Sequence, residues 1–264
     1  ARNLLVRGPH FSNGYFANGI VVKNAWYPML DNVKITSEYG DSHGKMAAGF
    51  ALLDCYSPLV DKCYFWGGAE YGLLYRSEID SEDGIVSDCY FVGQDTGIRV
   101  RLSARTDGWG EPAFHLTDSH IHYKVKGLAL KGIRQGFVSG NLFYCFNRAA
   151  SRWHADPDSV SSYTSKDIEC DAVNDFIVSH NQFAEPASPK RVCIDILPNS
   201  GNLLIDGNIF NMDGTAIRNR SQVSSRCIGN VYTGSPDFTK SADGANALIR
   251  YVDPNGTLKT LDFE

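Results

Sequence analysis

Two short apolar segments carry three carboxylates at alternating positions: KDIECD holds Glu169 and Asp171, and RVCIDI holds Asp195. If both segments are strands, Ile168 and Cys170 turn inward and Glu169 and Asp171 outward. By the same alternation Val192 and Ile194 turn inward, and Cys193 and Asp195 outward. Bases share the outward parity in neighbouring segments: Arg99 and Arg101 in TGIRVR, Lys131 in KGLALKG, and Arg218 in TAIRNR. Paired carboxylates are the working groups of glycoside hydrolysis. Stacked strands would set Asp171 beside Asp195 at about 4.8 Å, with Glu169 about 6.7 Å along its strand from Asp171. The Glu169–Asp195 diagonal would then be roughly 8 Å, within the ~6.5–9.5 Å separation of inverting enzymes. Three crowded acids should also raise one carboxyl pKa, as a general acid requires. The alternative is a solvated salt-bridge ladder with no chemistry.

Two polar insertions flank this set, RLSARTDGWGEPA (Arg101–Ala113) and NRAASRWHADPDSVSSYTS (Asn147–Ser165). Each carries a tryptophan, and a ring beside charged groups suits a sugar, which has an apolar face and hydroxyl edges; the plainer reading is a loop anchor. The sequence therefore assigns catalysis to Glu169, Asp171 and Asp195. It assigns substrate binding to Arg99, Arg101, Trp109, Lys131, Trp153, His154 and Arg218. Other candidate acids are Glu78, Asp80, Glu82 and Asp83 in one turn and Asp156 and Asp158 in another, with a solvated loop as the plainer reading of each. His115, His120 and His122 share a segment, but His120 and His122 alternate with Ile121 as in a strand, so no zinc site is expected. No metal or cofactor is expected.

The elements that must hold these residues repeat. DFIVSHNQF (Asp175–Phe183) returns as NLLIDGNIF (Asn202–Phe210) and QGFVSGNLF (Gln135–Phe143), with looser copies along the chain. Aligned positions are Asn32, Cys63, Cys89, Ser119, Asn141, Asn181, Asn208 and Asn230, spaced by 31, 26, 30, 22, 40, 27 and 22 residues. The short spacings define a unit and the long ones carry insertions. Upstream of each copy lies a second track that opens on a small residue and then alternates, as in AGFAL, YGLLY, TGIRV and KGLAL. Short strands at this period without intervening helices define an all-β fold, a right-handed parallel β-helix with inserted surface loops. Stacked turns place equivalent residues in ladders. An Asn at a tight corner can take the left-handed conformation and bond to the next turn. Leucine-rich, propeller and sandwich patterns do not fit. Residues 1–234 form the β-helix, and 235–264 a C-terminal loop with the last strands.

Bulk properties narrow the function. A chain of 264 residues with 43% hydrophobic residues can bury a large core. Its net charge of −5 argues against a nucleic-acid binder. No apolar run approaches the ~20 residues of a membrane span, and no signal peptide is read. Seven cysteines without a C-x-x-C pair read as free buried thiols made in a reducing cytoplasm.

The repeat form G-Φ-x-Φ followed by Φ-Φ-x-x-N-x-F resembles the pectate-lyase-like β-helix superfamily, and within it the central domain of bacteriophage tailspikes. The resemblance runs from about Asn3 to Tyr232. The chain lacks the N-T-D, D-D and R-I-K signatures of polygalacturonases and the clustered aspartates of pectate lyases. Tailspikes carry variable sites without a shared motif. The resemblance implies a polysaccharide depolymerase acting by hydrolysis on a bacterial capsule or O-antigen, a homotrimer, and a place in the virion tail. A lyase on the same fold, or a non-catalytic glycan-binding fibre domain, is the alternative.

Overall fold

The computed structural model describes residues 5–7, 10–14, 17–37, 46–78, 82–103, 112–145, 165–184, 191–211, 214–223, 225–233, 236–239, 249–252 and 258–261. The described residues form strands and no helix. Nearly every strand pairs in parallel with the equivalent strand one turn away. The pairings resolve into three stacks. Sheet 1 contains Asn18–Lys23, Met46–Leu53, Ala69–Ser77, the later halves of Tyr90–Leu102 and His120–Lys131, then Lys166–Asp171, Val192–Ile196 and Gly214–Asn219. Sheet 2 runs from Met29–Asp31 through Leu59–Asp61, Gly84–Ser87, Ala113–Thr117, Gln135–Ser139 and Asn174–Ser179 to Gly201–Asp206. Sheet 3 includes Lys34–Ser37, Tyr64–Trp66, Leu142–Cys145, Gln182–Ala184 and Ile209–Asn211. The chain is a parallel β-helix. Near its end Ile249–Val252 still pairs in parallel with Arg226–Thr233, whereas Leu258–Leu261 pairs antiparallel to Ile249–Val252.

Alternation fills the interior. Ile98, Val100, Leu128, Leu130, Ile168, Cys170 and Ile194 stack inward from sheet 1, all buried. The Phe of the repeat forms an inner column on sheet 3. Phe143, Phe183, Phe210 and Tyr232 are stacked with centroids 5.4, 4.7 and 5.0 Å apart. All seven cysteines are free and buried. Cys193, expected to face outward, is buried too, within the sheet 1 strand and opposite the buried Asp167 of the preceding turn.

The small residue opening the second track has a steric reason. A Cβ on Gly127 would lie 2.6 Å from the Asp167 carbonyl oxygen and 2.8 Å from the Phe143 ring. At the next turn Asp167 replaces glycine, and its buried carboxylate takes a two-pronged pair from buried Arg191, at 2.9 and 2.8 Å.

The polar ladder is continuous, and its register corrects the sequence alignment by one residue at the first turn. Lys34 pairs with Tyr64, so Val33, not Asn32, stands under Cys63. From there each backbone N–H donates to the side chain one turn on: Cys63 to Cys89, Cys89 to Ser119, Ser119 to Asn141, Asn141 to Asn181, Asn181 to Asn208 and Asn208 to Asn230. The left-handed position is the preceding residue: Asn32, Lys62, Asp88, Asp118, Gly140, His180, Gly207 and Gly229 all have positive φ. The two roles given to one Asn by sequence reasoning are thus divided. The residue before makes the turn, and the Asn bridges neighbouring turns through both ends of its amide.

Candidate functional site on the outer face of sheet 1

Outward side chains of sheet 1 form columns parallel to the helix axis. One column reads Leu74, Arg99, Ala129, Glu169, Asp195, Arg218, and the next Arg76, Arg101, Lys131, Asp171. Two-residue alternation puts them there, since Ile98, Val100, Ile168, Cys170, Ile194 and Ile217 fill the core. Glu169 is the direct register partner of Asp195. This corrects the expected arrangement. Asp171 is not stacked on Asp195 but on Lys131, and Glu169 to Asp195 is the stacked pair, not the diagonal. Glu169, Asp171 and Asp195 keep their outward parity, and the difference is a slide of two residues along the strand.

Cations fill the space between these acids. Lys126 Nζ lies 2.6 Å from Glu169 Oε1, and Lys166 Nζ bonds Glu169 Oε2. Lys166 Nζ also lies 2.8 Å from Asp195 Oδ2. Arg218 donates to Asp195 from Nε at 2.9 Å and Nη2 at 2.7 Å. Arg220 repeats the fork at 3.2 and 2.8 Å. Asp195 is 0% exposed, although its strand position faces outward, because the two guanidinium groups and the Lys166 ammonium cover it. Lys131 meets Asp171 at 2.7 Å in a more open pair.

These contacts settle the electrostatics. Burial alone would raise the Asp195 pKa, but hydrogen bonds from Arg218 and Lys166 outweigh it and hold the carboxyl below its ordinary value. Glu169 is likewise lowered, with burial overcome by Lys126 and Lys166. The expectation that crowding would raise one acid fails for this pair. The acids are separated by cations, which stabilise the ionised form of both.

Arg99 stands with its guanidinium carbon 5.8 Å from the Tyr71 ring centroid, and Arg101 and Arg76 are exposed beside it. Trp109, Trp153 and His154 lie outside the described residues, as do Asp80, Asp156 and Asp158. The segment carrying Trp153 and His154 joins the helix at Cys145 and Ser165, on the edge of sheet 1 beside Lys166. The segment carrying Trp109 joins at Ser103 and Pro112, beyond the other end of the sheet 1 strands.

Sequence reasoning missed Lys126, Lys166 and Arg220. Lys166 and Arg220 flank the alternating core of their segments, and Lys126 precedes the small residue of the repeat. Each reads as a solvated terminal base. It also missed the rings outside sheet 3, where Tyr90 and His120 are 4.4 Å apart and His122 and Tyr144 5.2 Å. No group of metal-ligating side chains occurs among the described residues.

Solved structures place the architecture. Tailspike protein 2 from Escherichia coli O157:H7 bacteriophage CAB120 matches with a TM-score of 0.66 at 12% identity, over 97% of this chain and 38% of that one. PfbA, a surface adhesin of Streptococcus pneumoniae, matches with a TM-score of 0.56 at 13% identity, over 88% of this chain and 59% of that one. The tailspike of Escherichia coli bacteriophage HK620, solved in complex with a pentasaccharide, matches with a TM-score of 0.53 at 13% identity, over 82% of this chain and 44% of that one. This chain therefore shares the parallel β-helix of phage tailspikes and spans only part of the length of these proteins. No family model matches it, and no curated protein matches it in sequence.

Proposed function

We propose that the chain is the β-helical body of a tailspike-like polysaccharide depolymerase that binds an acidic bacterial surface glycan, capsule or O-antigen, across the outer face of sheet 1. The observation that carries the reading is the surplus of fixed cations. Lys126, Lys166, Arg218 and Arg220 surround two carboxylates, and Arg76, Arg99 and Arg101 continue the same columns, in a chain of net charge −5. A ladder built only for stability has no use for the excess. Forked guanidinium groups held at fixed spacing are suited to carboxylates. The tailspike solved with a pentasaccharide supports a glycan as the ligand class.

In this reading Asp195 is a positioning residue. It touches no solvent, and it aims Arg218 and Arg220. Hydrolysis by Glu169 and Asp195 needs one of them protonated, yet both are held ionised. That favours the lyase alternative. Arg101, next to Lys131 in its column, neutralises a uronate carboxylate and so acidifies the neighbouring C–H, while Arg99 and Arg218, four turns or about 19 Å apart, take other acidic groups along the polymer. Asp171, the most open of the three acids, accepts that proton. The electron pair forms a C=C bond as the glycosidic C–O bond breaks, and the departing oxygen takes a proton from Lys131. Trp109, Trp153 and His154 supply further contacts from the insertions. The reading includes a homotrimer in the virion tail. Its support is an apolar outer column on sheet 2, where Leu59, Ile85, His115, Phe137, Ile177 and Leu204 follow one another.

The test is incubation with acidic and neutral bacterial capsules and O-antigens, followed by mass spectrometry and ultraviolet absorbance of the products. Acidic polymers should be shortened to unsaturated ends. Asp171→Asn should lower the rate by about 10²–10⁴. Arg101→Glu should weaken binding, whereas Arg226→Glu on the outside of sheet 2 should not. Saturated products carrying an added water would replace the lyase with a hydrolase. Retained binding without cleavage would leave a glycan-binding domain.

A further inference from the structure

The first turns carry an aromatic corner that the sheet 1 reading does not use. Trp26 and Tyr56 are equivalent residues of neighbouring turns, joined by a parallel bridge, and their rings stack at 4.9 Å. Tyr27 stands perpendicular to Tyr56, at 5.6 Å and 88°, and edge-on to Trp26 at 6.3 Å. Stacked rings with a third ring at right angles form an open angle between apolar surfaces. Trp26 and Tyr27 remain 45% and 50% exposed.

The backbone makes Tyr27 conspicuous. Its φ is 53°, in the left-handed region, where a bulky side chain is unusual. The corner itself requires that conformation, because the equivalent residues of the next two turns share it: Ser57 has φ 45° and Asp83 φ 41°. Those turns meet the requirement with the small polar residues that such corners favour. Tyr27 bears the strain and returns little core burial. Strain of this kind is a mark of sites kept for something other than stability.

Polar groups border the rings. The Tyr56 hydroxyl donates to the Glu82 carboxylate one turn on. Asp54, two residues before Tyr56 in the chain, accepts the Glu78 N–H at 3.0 Å, and exposed Asp83 follows Glu82. Aromatic faces bordered by a carboxylate acceptor suit a pyranose, whose C–H face is apolar and whose edge is hydroxyl donors. The acids make the corner unsuitable for uronates. Five turns separate Trp26 from Glu169, about 24 Å along the axis, so this is a different place from the basic face.

We propose that Trp26, Tyr27 and Tyr56 form a second glycan-binding site, for neutral pyranose residues, that stacks the sugar on Trp26 and Tyr27 and takes its hydroxyls on Glu82 and its neighbouring acids. The site shares with the function proposed above only a ligand of the carbohydrate class. It binds without the cations of sheet 1.

The experiment is saturation-transfer NMR and isothermal titration on the whole chain. The probes are neutral oligomers of glucose, galactose and mannose in α and β linkage, with polygalacturonate as the anionic probe. Wild type should transfer saturation to at least one neutral oligomer, with a millimolar dissociation constant. Trp26→Ala should weaken that binding tenfold or more, and Arg101→Glu should leave it unchanged. Tyr27→Gly relieves the left-handed strain. It should hold or raise the melting temperature while weakening sugar binding, whereas a ring kept only for packing would lower the melting temperature. Absence of transfer to every neutral oligomer overturns the proposal. So does equal binding by Trp26→Ala, or self-association of the wild type that Trp26→Ala abolishes. Loss of polygalacturonate binding in Arg101→Glu reports separately on the basic face.

Discussion

Asp195→Asn separates a positioning residue from a catalytic one. From sequence alone the change removes one surface charge and leaves the fold intact. The structure gives a different expectation. Asp195 is fully buried beneath two forked guanidinium groups and the Lys166 ammonium. Asparagine keeps the shape but removes the only charge that Arg218 and Arg220 share, so three cations then face one another. Breaking a buried pair costs about 3–5 kcal/mol. Arg218 and Arg220 keep 28% and 40% of their surface, so water recovers part of that loss. A destabilisation of about 2–3 kcal/mol is expected at pH 7, and for a domain of this size it lowers the melting temperature by roughly 4–12 °C. The pH dependence carries the second half of the test. The folded carboxyl titrates below its unfolded value, so the wild-type advantage is present above that unfolded value of about 3.9 and is lost as pH falls through the folded pKa. Calorimetry of both proteins from about pH 7 to about pH 2 should show a gap between the melting curves that begins to close below about pH 3.9. A variant melting within about 1 °C of wild type at pH 7 refutes the clamp, as does a gap that stays constant into acid.

Two further outcomes follow from the interior and from sheet 3. Asn181→Ala removes the acceptor of the Asn141 N–H and amide and the donor to the Val138 carbonyl, all buried; at about 1–3 kcal/mol for a stranded group, a total loss near 3 kcal/mol is expected in chemical denaturation, and one below about 1 kcal/mol would deny the ladder its role. His122 is held neutral by burial and by neighbouring His120, with its pKa pushed down to about 4, so the folded state loses stability as pH falls from about 6.5 toward 4. After allowance for its partial exposure the loss is about 1–2 kcal/mol; His122→Phe should flatten that part of the stability profile, and an unchanged slope would remove His122 as its source.

The sequence by itself determined the solenoid and its inside. Alternation of Ile98 with Arg99, or Cys170 with Asp171, fixes which residues face the core, because side-chain direction in a strand depends only on parity. The recurring Asn–x–Phe unit likewise gives the period, whereas the stacked inner column of rings emerges only from the structure. Register was a different matter. Parity is unchanged when a strand slides by two residues, so the sequence could not choose between Asp171 and Glu169 as the neighbour of Asp195. Nor could it show that Val33 stands in the ladder in place of Asn32, which sits one position earlier and takes the left-handed turn. The cations around the acids were hidden for a related reason. Lys126, Lys166 and Arg220 lie at the ends of the alternating pattern, where a base reads as solvated, and only the stacking of turns brings Lys126 to Glu169 across 43 residues, Arg220 to Asp195 across 25, and Lys166 to Asp195 on the next turn. That encounter keeps both acids ionised. A carboxylate's position along its strand is local information, whereas its charge state depends on what neighbouring turns place around it.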